Sequence, residues 1–283
     1  MIRIAVQAKG RLNEDSMKLL NDSGIQVDDS KRKLLSKSNN FPVEILYLRD
    51  DDIPQAVANG IADIGIVGLN EVKEKGFKVK KLFDLGFGKC RLSLAVPKSI
   101  NYTGLKYFNN KKVATSYPKI LKEFFRKSKI KAKIESIAGS VEIAPSIGMT
   151  DAIFDIVSSG GTLVSNGLVE VEKVFYSEAV LIATPELGKE KMAVINQMIF
   201  RFNAVKMSRG KKYVLVNVPN NKITAALKII PCLKSPTLLP LADKNWSAIH
   251  AVVDEDLIWE KVEQLKKIGA EDILVLNMEQ MIL

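Results

Sequence analysis

Short strand-like apolar runs alternate with helix-like patterns from Ile2 to Leu276, and that alternation excludes most architectures. A chain that keeps switching from a period of two to a period near 3.6 reads as α/β. Ile2 to Gln7 is a strand, and Asn13 is placed to cap a helix carrying Met17, Leu19 and Leu20 that stops at Gly24. Val43 to Leu48 is a second strand. Asp52-Ile53-Pro54-Gln55 then reads as a capping box with an early proline, and Gly60 closes that helix. Asp63 to Gly68 is a strand whose two glycines mark a close approach. The expectation is an α/β fold with largely parallel sheets.

A second set of elements starts near Cys90. Arg91 to Val96 and Lys112 to Thr115 are strands, and Ser116 is placed to cap the helix holding Leu121 to Phe125. Ile130 to Ile137 is strand-like, and a helical turn at Val141 to Ile147 precedes another strand. Val169 to Ala183 is a strand-rich return, and a helix from about Glu186 to Lys206 follows. The return predicts that the chain crosses back to its first lobe. The expected divisions are residues 1–89 with 178–207, residues 90–177, and residues 208–283. In the last of these, strands at Tyr213 to Val218, Thr237 to Leu241, Trp246 to Val253 and Ile273 to Leu276 are joined by two helices. The order βαββαβ describes a small ferredoxin-like domain.

The chemistry concentrates where strands end. An apolar run from Ala152 to Val157, broken only by Asp155, leads into Ser158-Ser159-Gly160-Gly161-Thr162 and a short helix. Adjacent glycines remove the Cβ atoms that keep an anion off the backbone. Hydroxyls and the free N–H groups of a helix start can then ring a phosphate, and the upstream carboxylate suits Mg²⁺ or sugar hydroxyls. No Lys follows the glycines as in a Walker loop, and the G-x-G-x-x-G spacing is absent. Lys9-Gly10-Arg11 follows the first strand at the sheet edge where open α/β folds bind ligands, and two cations around a glycine suit a polyphosphate. Arg49 and Asp50 follow the second strand and Asn70 the third. Glu142 and Asp151 precede the glycine loop and are candidates for ribose hydroxyls or metal-bound water.

Composition narrows the function classes. The net charge of +10 is spread in clusters such as Lys31, Arg32 and Lys33. It comes with no nucleic-acid-binding motif, so the reading is attraction for small phosphorylated ligands, not nucleic acid. No apolar run reaches membrane-span length, and the N-terminal strand is too short for a signal peptide, so no membrane role and a cytoplasmic location are expected. Cys90 and Cys232 form no metal or disulfide pattern. The single histidine, His250, sits in an apolar run without a nucleophile beside it, so Ser–His and Cys–His chemistry is not indicated.

These residues resemble the ATP phosphoribosyltransferase family in its long form, over essentially the whole chain. The matching stretches are QAKGRL at Gln7 to Leu12, RDDDIP at Arg49 to Pro54, DIGIVGLN at Asp63 to Asn70 and RLSLAVP at Arg91 to Pro97. They continue with VATSYP at Val113 to Pro118, GSVEIAP at Gly139 to Pro145, DAIFDIVSSGGTLVSNGL at Asp151 to Leu168 and SPTLLPLA at Ser235 to Ala242. The resemblance implies a two-lobed core like that of periplasmic binding proteins, plus the ferredoxin-like regulatory domain. It implies Mg²⁺-dependent transfer of phosphoribose from 5-phosphoribosyl 1-diphosphate to N1 of ATP, the first step of histidine biosynthesis. Lys9, Arg11, Glu142 and Asp155 would then be catalytic. Asp151, Asp155 and Ser158 to Thr162 (with Ser159, Gly160 and Gly161) would hold the phosphoribosyl donor. Lys9, Gly10, Arg11, Arg49 and Asn70 would meet ATP. The family also implies feedback inhibition by histidine, with Asn217, Thr237 and Asp272 as contacts, and a homo-oligomer passing between dimer and hexamer. A two-lobed binding protein without turnover is the alternative; its periplasmic type needs an export signal, which the sequence does not show.

Overall fold

The computed structural model describes residues 1–27, 34–230 and 235–283, so Lys31, Arg32, Lys33 and Cys232 lie outside the described residues. The chain forms two compact units, Met1–Gln197 and Met198–Leu283. In chain order the first unit begins with β1 (Ile2–Gln7), α1 (Arg11–Asp22), β2 (Leu35–Lys37) and β3 (Val43–Leu48). It continues with α2 (Ile53–Ala58), β4 (Ile64–Gly68), α3 (Leu69–Lys75) and β5 (Lys80–Asp84). Next come β6 (Cys90–Pro97), β7 (Lys112–Thr115), α4 (Pro118–Lys127) and β8 (Lys133–Ser136). After these stand β9 (Ala152–Val157), α5 (Gly161–Ser165), β10 (Leu168–Ser177) and β11 (Ala179–Ala183). Helix α6 (Lys189–Ser208) spans the boundary between the units.

The first sheet has six strands in the order β2-β3-β1-β4-β11-β5, and the second has five in the order β10-β6-β9-β7-β8. The expected largely parallel character holds only at their centres. β1 pairs in parallel with β3 and β4, and β7 with β8 and β9; every other pairing in these sheets is antiparallel. The antiparallel partners arise where the chain returns, because β10 and β11 follow one another and run back along β6 and β4. Strands β2 and β5 had no sequence signal, being short, charged edge strands.

Period-two alternation splits the second sheet cleanly. Leu92, Leu94, Val113 and Phe154 pack with Phe108, Leu121 and Phe125 on one face. Ala95, Ala114, Ile153 and Val157 pack with Val141, Ala144 and Leu163 on the other. Asp155, between Ile153 and Val157, takes the second face. In the first sheet a side chain on Gly65 would meet Ile53 Cγ2 at 2.7 Å, so the bareness of this buried strand position serves the packing of α2.

The expected caps are built differently. α1 starts at Arg11 after Gly10, and Asn13 instead donates through Nδ2 to the Gln7 carbonyl at 2.6 Å. Asp52 makes no capping bond; Asp50 closes the local turn by accepting from Asp51 N–H at 3.0 Å. Ser116 donates to the Ile137 carbonyl, and α4 is capped from another segment, Glu74 accepting from Lys119 and Ile120 N–H at 2.9 and 3.0 Å. An aspartate or serine near a helix start is a capping signal only while nothing closer in space competes for it.

The second unit contains β12 (Lys211–Pro219), α7 (Ile223–Ile229), β13 (Thr237–Pro240), β14 (Trp246–Asp254), α8 (Ile258–Lys267) and β15 (Glu271–Asn277). Its four-stranded sheet, in the order β13-β14-β12-β15, is antiparallel throughout, as βαββαβ connectivity requires.

Candidate functional site

Strand β9 delivers the chain into the glycine loop. Gly160 holds φ at +84°, a conformation that favours glycine, and turns the backbone into α5. The first helical bond there is Val164 N–H to the Gly160 carbonyl at 3.2 Å, so the N–H groups of Gly161, Thr162 and Leu163 precede the ladder. Ser158, Ser159, Gly161 and Thr162 are exposed around them. The loop is pinned from below: Arg91 donates to the Ser158 carbonyl at 3.1 Å while its fork grips Glu170 at 2.5 and 2.6 Å. That anchor has no local signal, since nothing in sequence links β6 to β10.

Asp155 sits just below the loop, and its carboxyl is pushed up to about 6, first by burial and then by the charge of Glu142; the Ile156 N–H, at 2.8 Å, pulls the other way. Glu142, on a 3-10 turn at Val141–Ile143, is therefore brought into electrostatic reach of Asp155. Asp151 is not. It stands at the far end of β9, about 13 Å away along an extended strand. Its carboxylate accepts from Lys112 N–H at 2.8 Å and Lys111 Nζ at 3.2 Å, which hold it below the usual aspartate range.

A cleft of about 440 Å³ opens beside this loop. Gln7, Arg11 and Asp15 line it from the end of β1 and the start of α1, and Ile156 and Ser158 from the end of β9. Lys9 and Gly10 are exposed on the same β1–α1 connection. Arg49 is exposed and 3.7 Å from Asp51; it is Asp50 that lines the cleft. Asn70 also lines it but is only 5% exposed. Its Oδ1 accepts from Ser177 Oγ at 2.8 Å, and its Nδ2 donates to Glu71 at 3.1 Å and to the Tyr117 hydroxyl at 3.2 Å. Tyr117 in turn donates to Glu71 at 3.0 Å. Glu71, Tyr117 and Ser177 escaped the sequence reading because they come from three distant segments whose local patterns show only helix starts and a strand end.

In the second unit, Asn217 donates to Asp272 at 3.1 Å, and Asp272 lines a cavity of about 470 Å³ with Lys212, Trp259 and Lys266. Thr237 is not brought to them: it pairs with His250 on β14, while Asn217 lies one strand further and two residues along. His250 accepts or donates a 2.8 Å bond with the Tyr213 hydroxyl, a structural partner for the lone imidazole.

The sequence pattern of the family described as ATP phosphoribosyltransferase matches residues 49–204, and that described as HisG, C-terminal domain, matches residues 208–280. An ATP phosphoribosyltransferase of Bacteroides thetaiotaomicron is 55% identical over 282 residues, covering 100% of both chains. One from Cytophaga hutchinsonii is 50% identical over 282 residues, covering 100% of this chain and 99% of that one. Among solved structures, the ATP phosphoribosyl transferase (HisG:HisZ) complex from Thermotoga maritima aligns with a TM-score of 0.61 at 26% identity, over 72% of this chain and 99% of that one. A substrate binding protein of an amino acid ABC transporter aligns with a TM-score of 0.50 at 12% identity, over 73% of this chain and 93% of that one. That likeness is one of fold alone, and it bears out the periplasmic-binding-protein-like core.

Proposed function

We infer that this chain, which belongs to the ATP phosphoribosyltransferase family, brings its two substrates together in the cleft between the β1–α1 connection and the β9–α5 loop. Its reaction is transfer of the phosphoribosyl group from 5-phosphoribosyl 1-diphosphate to N1 of ATP, giving N1-(5-phosphoribosyl)-ATP and diphosphate, the first step of histidine biosynthesis. The N1 lone pair forms the bond to C1 of the sugar as the C1–oxygen bond breaks and its electron pair leaves with diphosphate. With no covalent intermediate on the protein, the work is positioning and charge stabilisation.

The observation that carries the site reading is the bare, N–H-rich turn at Ser158 to Leu163 opening onto a cleft that Arg11 lines from the opposite side. The 5-phosphate sits on Ser158, Ser159, Gly160, Gly161 and Thr162, and Asp155 and Glu142 face the ribose. Lys9, Gly10 and Arg11 meet the diphosphate and triphosphate, and Arg49 extends that cationic rim. Asn70 and its partners form the floor, and Asp151 supports the start of β9. Mg²⁺ fits this donor set, because that ion is held by one or two carboxylates together with substrate oxygens. Among the described residues no cluster of three metal-ligating side chains forms a closed cage; Asp155 and Glu142, close enough for the charge of one to act on the other, would supply the two carboxylates. Held there, Mg²⁺ would supply positive charge against the leaving diphosphate.

Histidine, as feedback inhibitor, is held at Asn217 and Asp272, with Thr237 as the further polar candidate of the second unit. The enzyme assembles as the dimer and hexamer of its family and works in the cytoplasm. Among the described residues no helix is long and apolar enough to cross a membrane. Incubation with ATP, Mg²⁺ and the phosphoribosyl donor should change the ultraviolet absorbance of the purine and release diphosphate. Binding of both ligands with no diphosphate released would favour a two-lobed binding protein instead.

A further inference from the structure

The floor of the cleft holds a carboxylate that the reaction as described does not use. Glu71 is 8% exposed and lines the cleft, yet among the described residues no cation pairs with it. Both of its donors, Asn70 Nδ2 at 3.1 Å and the Tyr117 hydroxyl at 3.0 Å, bond to Oε1. Those donors are themselves held, Asn70 by Ser177 at 2.8 Å and Tyr117 by Asn70 at 3.2 Å, so the orientation of the carboxylate is locked. The other oxygen, Oε2, has no donor among the described residues, and it is not among the atoms sealed away from solvent. A carboxylate oxygen that solvent reaches at the floor of a cleft, with no protein donor of its own, is free to accept from a ligand that displaces that water.

We propose that Glu71 is a specificity-determining residue that accepts a hydrogen bond from the exocyclic amine of the ATP base through Oε2. This rests on the reading that ATP occupies the cleft. Of the groups the two substrates offer, the phosphates are repelled by a carboxylate, which leaves the adenine amine and the ribose hydroxyls as donors. The amine is favoured by the chemistry of the neighbouring atom. N1 must keep its lone pair free to attack, and an acceptor bonded to the amine leaves N1 untouched while drawing the base into one orientation. An amide or hydroxyl donor at the same place could bond N1 and block it. Asn70 cannot serve, since both protons of its amide are committed to Glu71 and Tyr117.

The test compares dissociation constants of the full-length protein, with Mg²⁺, for ATP, for purine riboside triphosphate (no amine) and for 2′-deoxy-ATP, in the wild type and in Glu71→Gln. Glutamine keeps an oxygen for Asn70 and Tyr117 and turns the cleft-facing acceptor into a donor. Loss of the amine should weaken binding to the wild type by about 10–100-fold and to Glu71→Gln by less than about 3-fold. The 2′-deoxy penalty should be the same in both. An equal amine penalty in the two proteins, or a 2′-deoxy penalty that disappears in Glu71→Gln, overturns the proposal. A wild-type arm stands even if the variant does not fold: purine riboside triphosphate that binds the wild type as tightly as ATP overturns it. A wild type that binds none of these nucleotides refutes the cleft reading itself, whereas tight ATP binding with an unaltered amine penalty refutes the role of Glu71 alone.

Discussion

Gly161 and Asp155 do opposite things for the same loop. A Cβ on Gly161 would meet nothing closer than Ser159 Oγ at 3.8 Å, and its φ is not in the left-handed region, so a side chain there is accommodated by the fold and projects where the phosphate is proposed to sit. Gly161→Val should leave the melting temperature within about 2 °C of wild type and lower kcat/KM by at least about 100-fold, checked by calorimetry and diphosphate release. Normal turnover in that variant would sink the cradle. Asp155 carries a cost instead. Its folded-state carboxyl lies near 6 against an ordinary 3.8, so the folded chain binds this proton more tightly than the unfolded chain does. Stability from this group is therefore lost as pH rises through roughly 4 to 6, and stays lost above it. Asp155→Asn keeps an acceptor for Ile156 N–H and removes the buried charge. It should raise the melting temperature by about 2–4 °C at pH 8, with little gain near pH 4, while abolishing turnover. Wild-type activity should fall toward acid pH, where protonation removes the charge of this carboxylate.

Helix α4 shows how an element can depend on a distant one. Its own sequence offers no cap, and the Glu74 carboxylate from α3 satisfies two of its first N–H groups. Lys73 adds an ion pair to Glu123 at 3.1 Å between the same two helices, and with Lys127 it draws the Glu123 carboxyl down to about 2. That pair is solvated and contributes little. The cap stabilises more, so Glu74→Ala should cost about 1–2 kcal/mol in chemical denaturation, and Lys73→Ala should leave the denaturation midpoint nearly unchanged. Since α4 begins beside Tyr117, which bonds Asn70 and Glu71 at the cleft floor, Glu74→Ala should also raise the KM for ATP more than it lowers kcat. An effect on stability with unchanged kinetics would separate the cap from the floor.

The molecule joins a larger α/β unit to a small antiparallel one, and the two offer different chemistry. The glycine turn and the partly buried carboxylates Glu71 and Asp155 belong to Met1–Gln197, whereas Met198–Leu283 offers an apolar cavity rimmed by Lys212, Lys266 and Asp272. If that second unit senses histidine, Asp272→Ala should lower sensitivity to added histidine by about 10-fold or more with basal turnover unchanged, measured as the inhibitor concentration that halves the rate. Undiminished inhibition would move the effector elsewhere. Sedimentation with and without histidine should then show the larger assembly favoured in the wild type and not in the variant.

Periodicity and punctuation in the chain were enough to place the strand–glycine turn–helix at Ala152 to Ser165, the βαββαβ order of the second unit and the cationic turn at Lys9 to Arg11. Each of these is a local property: side-chain alternation, a backbone that needs glycine, a charge next to a strand end. The bond partners were settled only by folding. Asn13, Asp52 and Ser116 looked like caps, and each lost that role to a nearer acceptor or to a residue from another element. Asn70, expected to meet ATP, lines the cleft while tied to Glu71, Tyr117 and Ser177, partners its local sequence did not announce. Hydrogen bonds go to whichever group lies within about 3 Å, and separation along a chain does not measure that distance.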